Sequence, residues 1–144
     1  MMGIEENKKV IEEWVDEFNK GNFDIVDRVF TDDFTAHHSI GFVADKQQYR
    51  DSIKNLSTNV FPDIHRTIED VIVTEDRAAL FTTWIGTHTG EWRSAAPTGK
   101  KIKVREIYFL KFEDGRISEN QAYGDSYGML YQLGITPWWE EKVD

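Results

Sequence analysis

Residues 96 to 134 read APTGKKIKVREIYFLKFEDGRISENQAYGDSYGMLYQLG. Pro97-Thr98-Gly99 predicts a turn. Residues 101 to 112 alternate as a strand does, with Ile102, Val104, Glu106, Tyr108, Leu110 and Phe112 on one face. Glu113-Asp114-Gly115-Arg116 predicts a hairpin connection, because Asp-Gly readily takes the positive φ that tight turns need. Residues 117 to 125 predict a second strand. Strict alternation puts Ile117, Glu119, Gln121, Tyr123 and Asp125 on one of its faces. A short helix follows, with Gly134 where a helix C-cap belongs.

Two carboxylates in this stretch carry chemical interest. Glu106 is the only charge on an otherwise apolar strand face. A buried carboxylate is costly unless it is paired or protonated, so Glu106 needs an ion-pair partner or a function. Asp125 ends the second strand immediately before a helix. It is either the helix N-cap or, near aromatic residues, an acid–base group.

Outward from this stretch, residues 4 to 20 predict a helix. Ile11, Trp14, Val15 and Phe18 fall at i, i+3, i+4 and i+7, one apolar stripe, and Gly21 ends it. Asn22 caps a second short helix with Ile25, Val26, Val29 and Phe30 facing inward. Residues 34 to 40 predict a short strand on which His37 and His38 point to opposite faces. Adjacent strand residues make a poor chelate, so no zinc site is expected there. Gly41 to Ala44 predicts a loop. Asp45 and Gln48 form a capping-box start for a helix to about Ser57, ended by Phe61-Pro62-Asp63. Residues 64 to 74 and 77 to 88 predict two further strands around a Glu75-Asp76 turn. Residues 89 to 96 form a loop whose Trp92 either covers a pocket mouth or anchors the loop. Trp138 and Trp139 are expected to pack back on the body or on a neighbouring subunit.

The expected order is α-α-β-α-β-β-β-β-α, an α+β arrangement of helices followed by an antiparallel meander. No repeat or linker interrupts it, so residues 1 to 144 are expected to form a single domain. Strands 77 to 125 carry apolar residues on both faces: Phe81 and Ile85 opposite Leu80 and Trp84, Ile107 and Phe109 opposite Tyr108 and Leu110. Helices cover only one face, so a homodimer through the other is expected.

Bulk properties exclude some functions. The net charge of −9, from 26 acidic and 17 basic residues, leaves no basic face for a nucleic acid or an anionic membrane. The absence of cysteine excludes disulfides and thiolate metal sites. The N-terminal MMGIEENKK has no apolar signal core, so a cytoplasmic location is expected. No Gly-rich phosphate loop, nucleophile elbow or metal-ligand spacing is present, so no cofactor and no metal is expected.

The order Pro97-Thr98-Gly99-Lys100, strand, Glu113-Asp114-Gly115-Arg116-Ile117-x-Glu119, Asp125, then Gln132-Leu133-Gly134 resembles the SnoaL-type polyketide cyclases, a branch of the nuclear-transport-factor-2-like superfamily. Phe61-Pro62-Asp63 and Gly86-Thr87-His88-Thr89-Gly90 resemble the same pattern, and the likeness covers roughly residues 5 to 135. It implies a curved antiparallel sheet wrapped around the N-terminal helices, with a cone-shaped cavity as the ligand site. It implies an intramolecular aldol cyclisation of a small apolar carbonyl compound, with Asp125 at the position of the family's acid–base aspartate. Glu106 and His88 are further candidates for the chemistry. Trp14, Phe18, His38, Phe61, Trp84, Tyr108 and Tyr123 are candidates for binding an apolar or aromatic ligand. The same fold also hosts small-molecule binding proteins without turnover, and that alternative stands beside the enzyme.

Overall fold

The computed structural model describes residues 3–39 and 41–135. The Trp138 and Trp139 expectation therefore lies outside the described residues.

Helix α1, Ile4–Asn19, buries Ile11, Trp14, Val15 and Phe18, the stripe its spacing predicts. Burial of each such side chain is worth roughly 1.5–3 kcal/mol. Gly21 ends the helix at φ 81°, a left-handed position that glycine takes without strain. The buried Asn7 amide donates to the carbonyls of Thr74 (3.1 Å) and Glu75 (2.9 Å), tying the start of α1 to a hairpin far along the chain.

The second helix is shorter than expected. A 3-10 turn, Phe23–Ile25, leads into a single α-turn, α2, Val26–Val29. Strand β1 then begins at Phe30 and runs to His38, earlier than the expected 34 to 40. The expected loop at Gly41 to Ala44 contributes to a short strand, β2, Val43–Asp45. Helix α3, Lys46–Asn55, opens with the Asp45–Gln48 capping box. It runs on as a π turn, Leu56–Val60, until Pro62 stops it.

Strands β3 (His65–Val73), β4 (Arg77–Thr87), β5 (Lys101–Glu113) and β6 (Arg116–Gly124) form the expected antiparallel meander, followed by α4, Ser126–Leu133. Asp114 (φ 48°) and Gly115 (φ 78°) make the β5–β6 turn, both left-handed as Asp-Gly permits. The sheet order is β2-β1-β6-β5-β4-β3. Strand β1 pairs parallel with β6, so one pair departs from an antiparallel sheet.

The curved sheet keeps its inner face for the helices. One apolar cluster joins α1 to Phe30, Phe34, Leu80, Leu110, Phe112 and Ile117. A second joins Val60, Phe61, Ile64, Trp84, Ile102 and Val104 to Met129 and Leu133 of α4. The outer face leaves Ile72, Phe81, Ile85, Ile107, Phe109 and Tyr123 exposed, as the two-sided apolar pattern predicts.

One face assignment is corrected. The β5–β6 register slips at a bulge: Lys111 faces Glu119, but Phe112 faces Ile117. The extra residue swaps the faces of β6 beyond it. Ile117 stays in the core, while Asn120 and Ala122 turn inward and Glu119, Gln121 and Tyr123 turn outward. No described helix is long and apolar enough to cross a membrane.

Candidate functional site

Between the two clusters the inner sheet face does not close against the helices. It leaves a cavity of about 670 Å³, the size of a small-molecule site. Its walls come from β1, α3, β3 to β6 and α4. Tyr49, Ile53, Leu56, Ile64, Trp84, Val104 and Met129 supply an apolar lining. His38, Phe42, Arg93 and Asp125, all exposed, stand at its rim.

Glu106 projects into this space from the middle of β5, opposite Gly124 of β6. A Cβ on Gly124 would lie 3.2 Å from Glu106 Oε2, so the missing side chain leaves room for the carboxyl. Burial pushes the Glu106 carboxyl above its ordinary value of 4.5. A hydrogen bond from Tyr108, the Arg66 charge and the Trp84 side chain oppose that rise without cancelling it. Tyr108 Oη donates to Glu106 Oε1 at 3.0 Å. Burial first, and the nearby Glu106 second, push the Tyr108 hydroxyl well above its ordinary range. Burial does the same to Tyr49. Both phenols therefore stay protonated donors at neutral pH.

Asp125 was expected to be the buried acid–base group. It is exposed, and its carboxylate accepts the Gly128 N–H at 2.8 Å as the N-cap of α4. The physical reason is position: the strand ends at Gly124, so Asp125 sits at the rim, exposed to water and capping the helix N-terminus. The buried, perturbed carboxylate is Glu106 instead. We expect Asp125→Asn to leave stability unchanged and Asp125→Ala to cost about 1 kcal/mol, read from denaturant unfolding.

The other candidates divide. Trp84 and Tyr108 line the cavity and His38 lies at its rim. Trp14 and Phe18 pack in the core beneath it. They border a separate small recess that also touches Tyr108 and Glu106. Phe61 is buried behind Trp84, ring centroids 4.9 Å apart, and supports that wall without forming its surface. Tyr123 lies on the outer face, 55% exposed, because of the bulge. His88 is fully buried away from the cavity. Its Nδ1 accepts the Thr98 N–H at 3.2 Å and lies 3.1 Å from Thr98 Oγ1, which ties down the β4–β5 connection. Trp92 of that connection lines the cavity, so it reaches the pocket as well as its own loop.

Sequence reasoning missed Arg66, Asn120 and Tyr49, all cavity residues. Arg66 carried a legible signal, since it lies between Ile64 and Ile68 on one apolar strand phase, as Glu106 does on its own strand. Asn120 carried none, because the bulge that turns it inward has no residue signature here. It is 1% exposed, and its Oδ1 has no hydrogen-bond partner.

Comparison with known proteins agrees with this architecture. TsrD from Streptomyces laurentii superposes with a TM-score of 0.83 at 21% identity, over 94% of this chain and 100% of that one. IdmH from Streptomyces antibioticus gives 0.77 at 25% identity, over 90% and 99%. A protein with a ketosteroid isomerase-like fold from Catenulispora acidiphila gives 0.73 at 17% identity, over 88% and 93%. In sequence, 57 residues are 40% identical to aklanonic acid methyl ester cyclase AcmA of Streptomyces galilaeus. That stretch spans 40% of this chain and 39% of the cyclase. The family model for SnoaL-like polyketide cyclase matches residues 8–133. Family and fold together support a function of the cyclase or isomerase type. With the model matched from α1 to the end of α4, the chain belongs to the SnoaL-like polyketide cyclase family.

Proposed function

We propose that the cavity performs acid–base chemistry on a small, largely apolar carbonyl compound, an aldol-type ring closure, with Glu106 as the proton-transfer group. The observation that carries this reading is one carboxyl inside an apolar cavity, raised by burial and oriented by Tyr108 at 3.0 Å. A raised carboxylate is a stronger base than a solvated one, and removing a proton next to a carbonyl needs such a base. Glu106 takes the proton from carbon, and the electron pair moves onto the carbonyl oxygen as an enolate. The enolate carbon attacks a second carbonyl of the same molecule, forming the C–C bond. The new alkoxide is protonated, and Glu106 is returned to its carboxylate by proton loss. Asp125 caps α4 at the rim and takes no part in the proton transfer.

The test is turnover with aklanonic acid methyl ester, the compound in the name of the matched cyclase, and with simpler intramolecular diketones. Ring closure by the wild-type chain that is lost in Glu106→Gln and kept in Asp125→Asn supports the reading. Binding without turnover across that panel would leave a binding protein.

The exposed outer sheet face bears on assembly. We propose that a second copy covers it, since Phe81, Ile85, Ile107, Phe109 and Tyr123 form an apolar surface on adjacent strands. The expected mass by light scattering at micromolar concentration is that of a dimer. Ile107→Asp with Phe109→Asp should return a folded monomer, and a wild-type monomer would contradict the proposal.

A further inference from the structure

The tip of the β4–β5 connection is a tight turn at the mouth of the cavity. Trp92 and Ala95 pair across it: the Trp92 N–H donates to the Ala95 carbonyl at 3.0 Å, and the Ala95 N–H to the Trp92 carbonyl at 2.8 Å. Between them Arg93 (φ 47°) and Ser94 (φ 69°) are both left-handed. Such two-residue turns favour Asn and Gly, and Arg and Ser take this one at a cost. Strain of this kind collects at ligand sites, where the surrounding structure holds it. The turn sets Arg93 on the cavity rim, exposed, with its guanidinium 4.8 Å from the centroid of the Trp92 ring. Stacking on that ring restricts an otherwise free side chain. Among the described residues no carboxylate pairs with Arg93. The other arginine of the described lining, Arg66, is held inside the wall. Its guanidinium lies over Phe18, its Nη2 donates to Ser57 Oγ at 2.9 Å, and its Nη1 is sealed from the space.

We propose that Arg93 binds a carboxylate at the cavity mouth, so that the ligand is a keto acid lying with its carbonyl end inside and its carboxylate at the rim. The carbonyl half of that class rests on the reading of Glu106 as the base; the carboxylate half rests on Arg93. The planar guanidinium fork can take both oxygens of a carboxylate, which a solvated point charge does not match. The direction of binding follows from the cavity. Its apolar lining penalises an unpaired charge, and an ionised Glu106 repels one, so a carboxylate is excluded from the depth. At the rim the carboxylate stays wet and meets a cation already in place. The chain as a whole carries −9 and repels anions, so a fixed cation at the mouth is what admits one.

The experiment compares 6-acetyl-2-naphthoate with its methyl ester, which keeps the shape and the ketone and removes the charge. Titration calorimetry on the full chain should show the acid binding more tightly than the ester, with the difference shrinking as salt is added. Arg93→Gln should weaken the acid roughly tenfold, the scale of one charge-assisted hydrogen bond, and leave the ester unchanged. Arg93→Lys keeps the charge without the fork, and the acid should lose part of its advantage. Arg93→Gly relieves the left-handed turn. It should raise the midpoint of unfolding while losing the acid's advantage, so that a lost preference is not read as a lost fold. A wild-type chain that binds the ester as tightly as the acid, or binds neither, overturns the proposal. So does an advantage for the acid that survives Arg93→Gln or Arg93→Gly, or a loss in Arg93→Gln that acid and ester share equally. The readout needs no turnover and should keep its sign in Glu106→Gln, so it stands or falls apart from the reading of Glu106 as the base.

Discussion

Replacing Glu106 by Gln should lower turnover by roughly a hundredfold or more while the chain stays folded, the scale of a lost acid–base group. Gln fills nearly the same space and still accepts the Tyr108 hydroxyl, but it has no proton to exchange. The same variant has a stability signature. The folded-state carboxyl lies above its ordinary value, so the native state binds the proton more tightly than the unfolded chain does. The stability this contributes is fully present below the ordinary value of 4.5 and is lost as pH rises through the raised folded value. Above that raised folded value the wild type carries a strained charge that Gln removes. Glu106→Gln should be at least as stable as wild type at pH 7, with its advantage shrinking as pH falls toward 4.5. Turnover by the wild type should fall as pH drops through the raised folded value, since the base must be ionised to accept a proton. Denaturant unfolding at a series of pH values, beside a pH–rate profile, reads both effects. A Gln variant less stable at pH 7 than at pH 4.5, relative to wild type, would mean that the charge is well paired.

The largest stability loss is expected from Gly90→Ala. A Cβ at Gly90 would meet the Asn59 carbonyl oxygen at 1.6 Å and the Val60 Cα at 3.2 Å. These are backbone atoms of the π turn, which cannot swing aside as a side chain does. Thr89 and Gly90 both donate their N–H groups to the Val60 carbonyl, at 3.1 and 3.3 Å. The added methyl group must separate the two backbones and break those bonds. We expect a loss of about 2–4 kcal/mol, the range of a serious backbone clash with broken hydrogen bonds. The same loop carries Trp92 to the cavity, so ligand affinity should fall with stability. A midpoint of unfolding within experimental error of wild type would show that the two segments separate freely.

These two residues also show where the sequence was readable. The fold was largely legible. The stripe of α1, the Asp45–Gln48 box, the Asp114-Gly115 turn and the Gly134 cap each follow from a local rule, and each is where the rule puts it. Glu106 was legible for the same reason, as a charge alone on an apolar strand phase, although its rank relative to Asp125 was not. Asp125 attracted the catalytic role through position in a family pattern, and a cap and a base leave the same sequence mark.

What could not be read depended on register and on distant contacts. The bulge at Lys111 and Phe112 moved Tyr123 out and Asn120 in, and no residue in that stretch announces it. Trp14, Phe18 and Phe61 were read as cavity walls because aromatic residues look alike whether they line a space or fill one. The parallel pairing of β1 with β6 joins segments too far apart for any local pattern to specify.

The most direct test of Glu106 as the working base is its own titration. With 13C-labelled glutamate side chains, the Glu106 carboxyl resonance is assigned by its absence from Glu106→Gln and followed against pH. The midpoint should lie clearly above 4.5, and it should rise further in Arg66→Met, where the neighbouring positive charge is gone. A midpoint at or below 4.5 would show a carboxylate comfortably ionised in its pocket, and would contradict its role as the base.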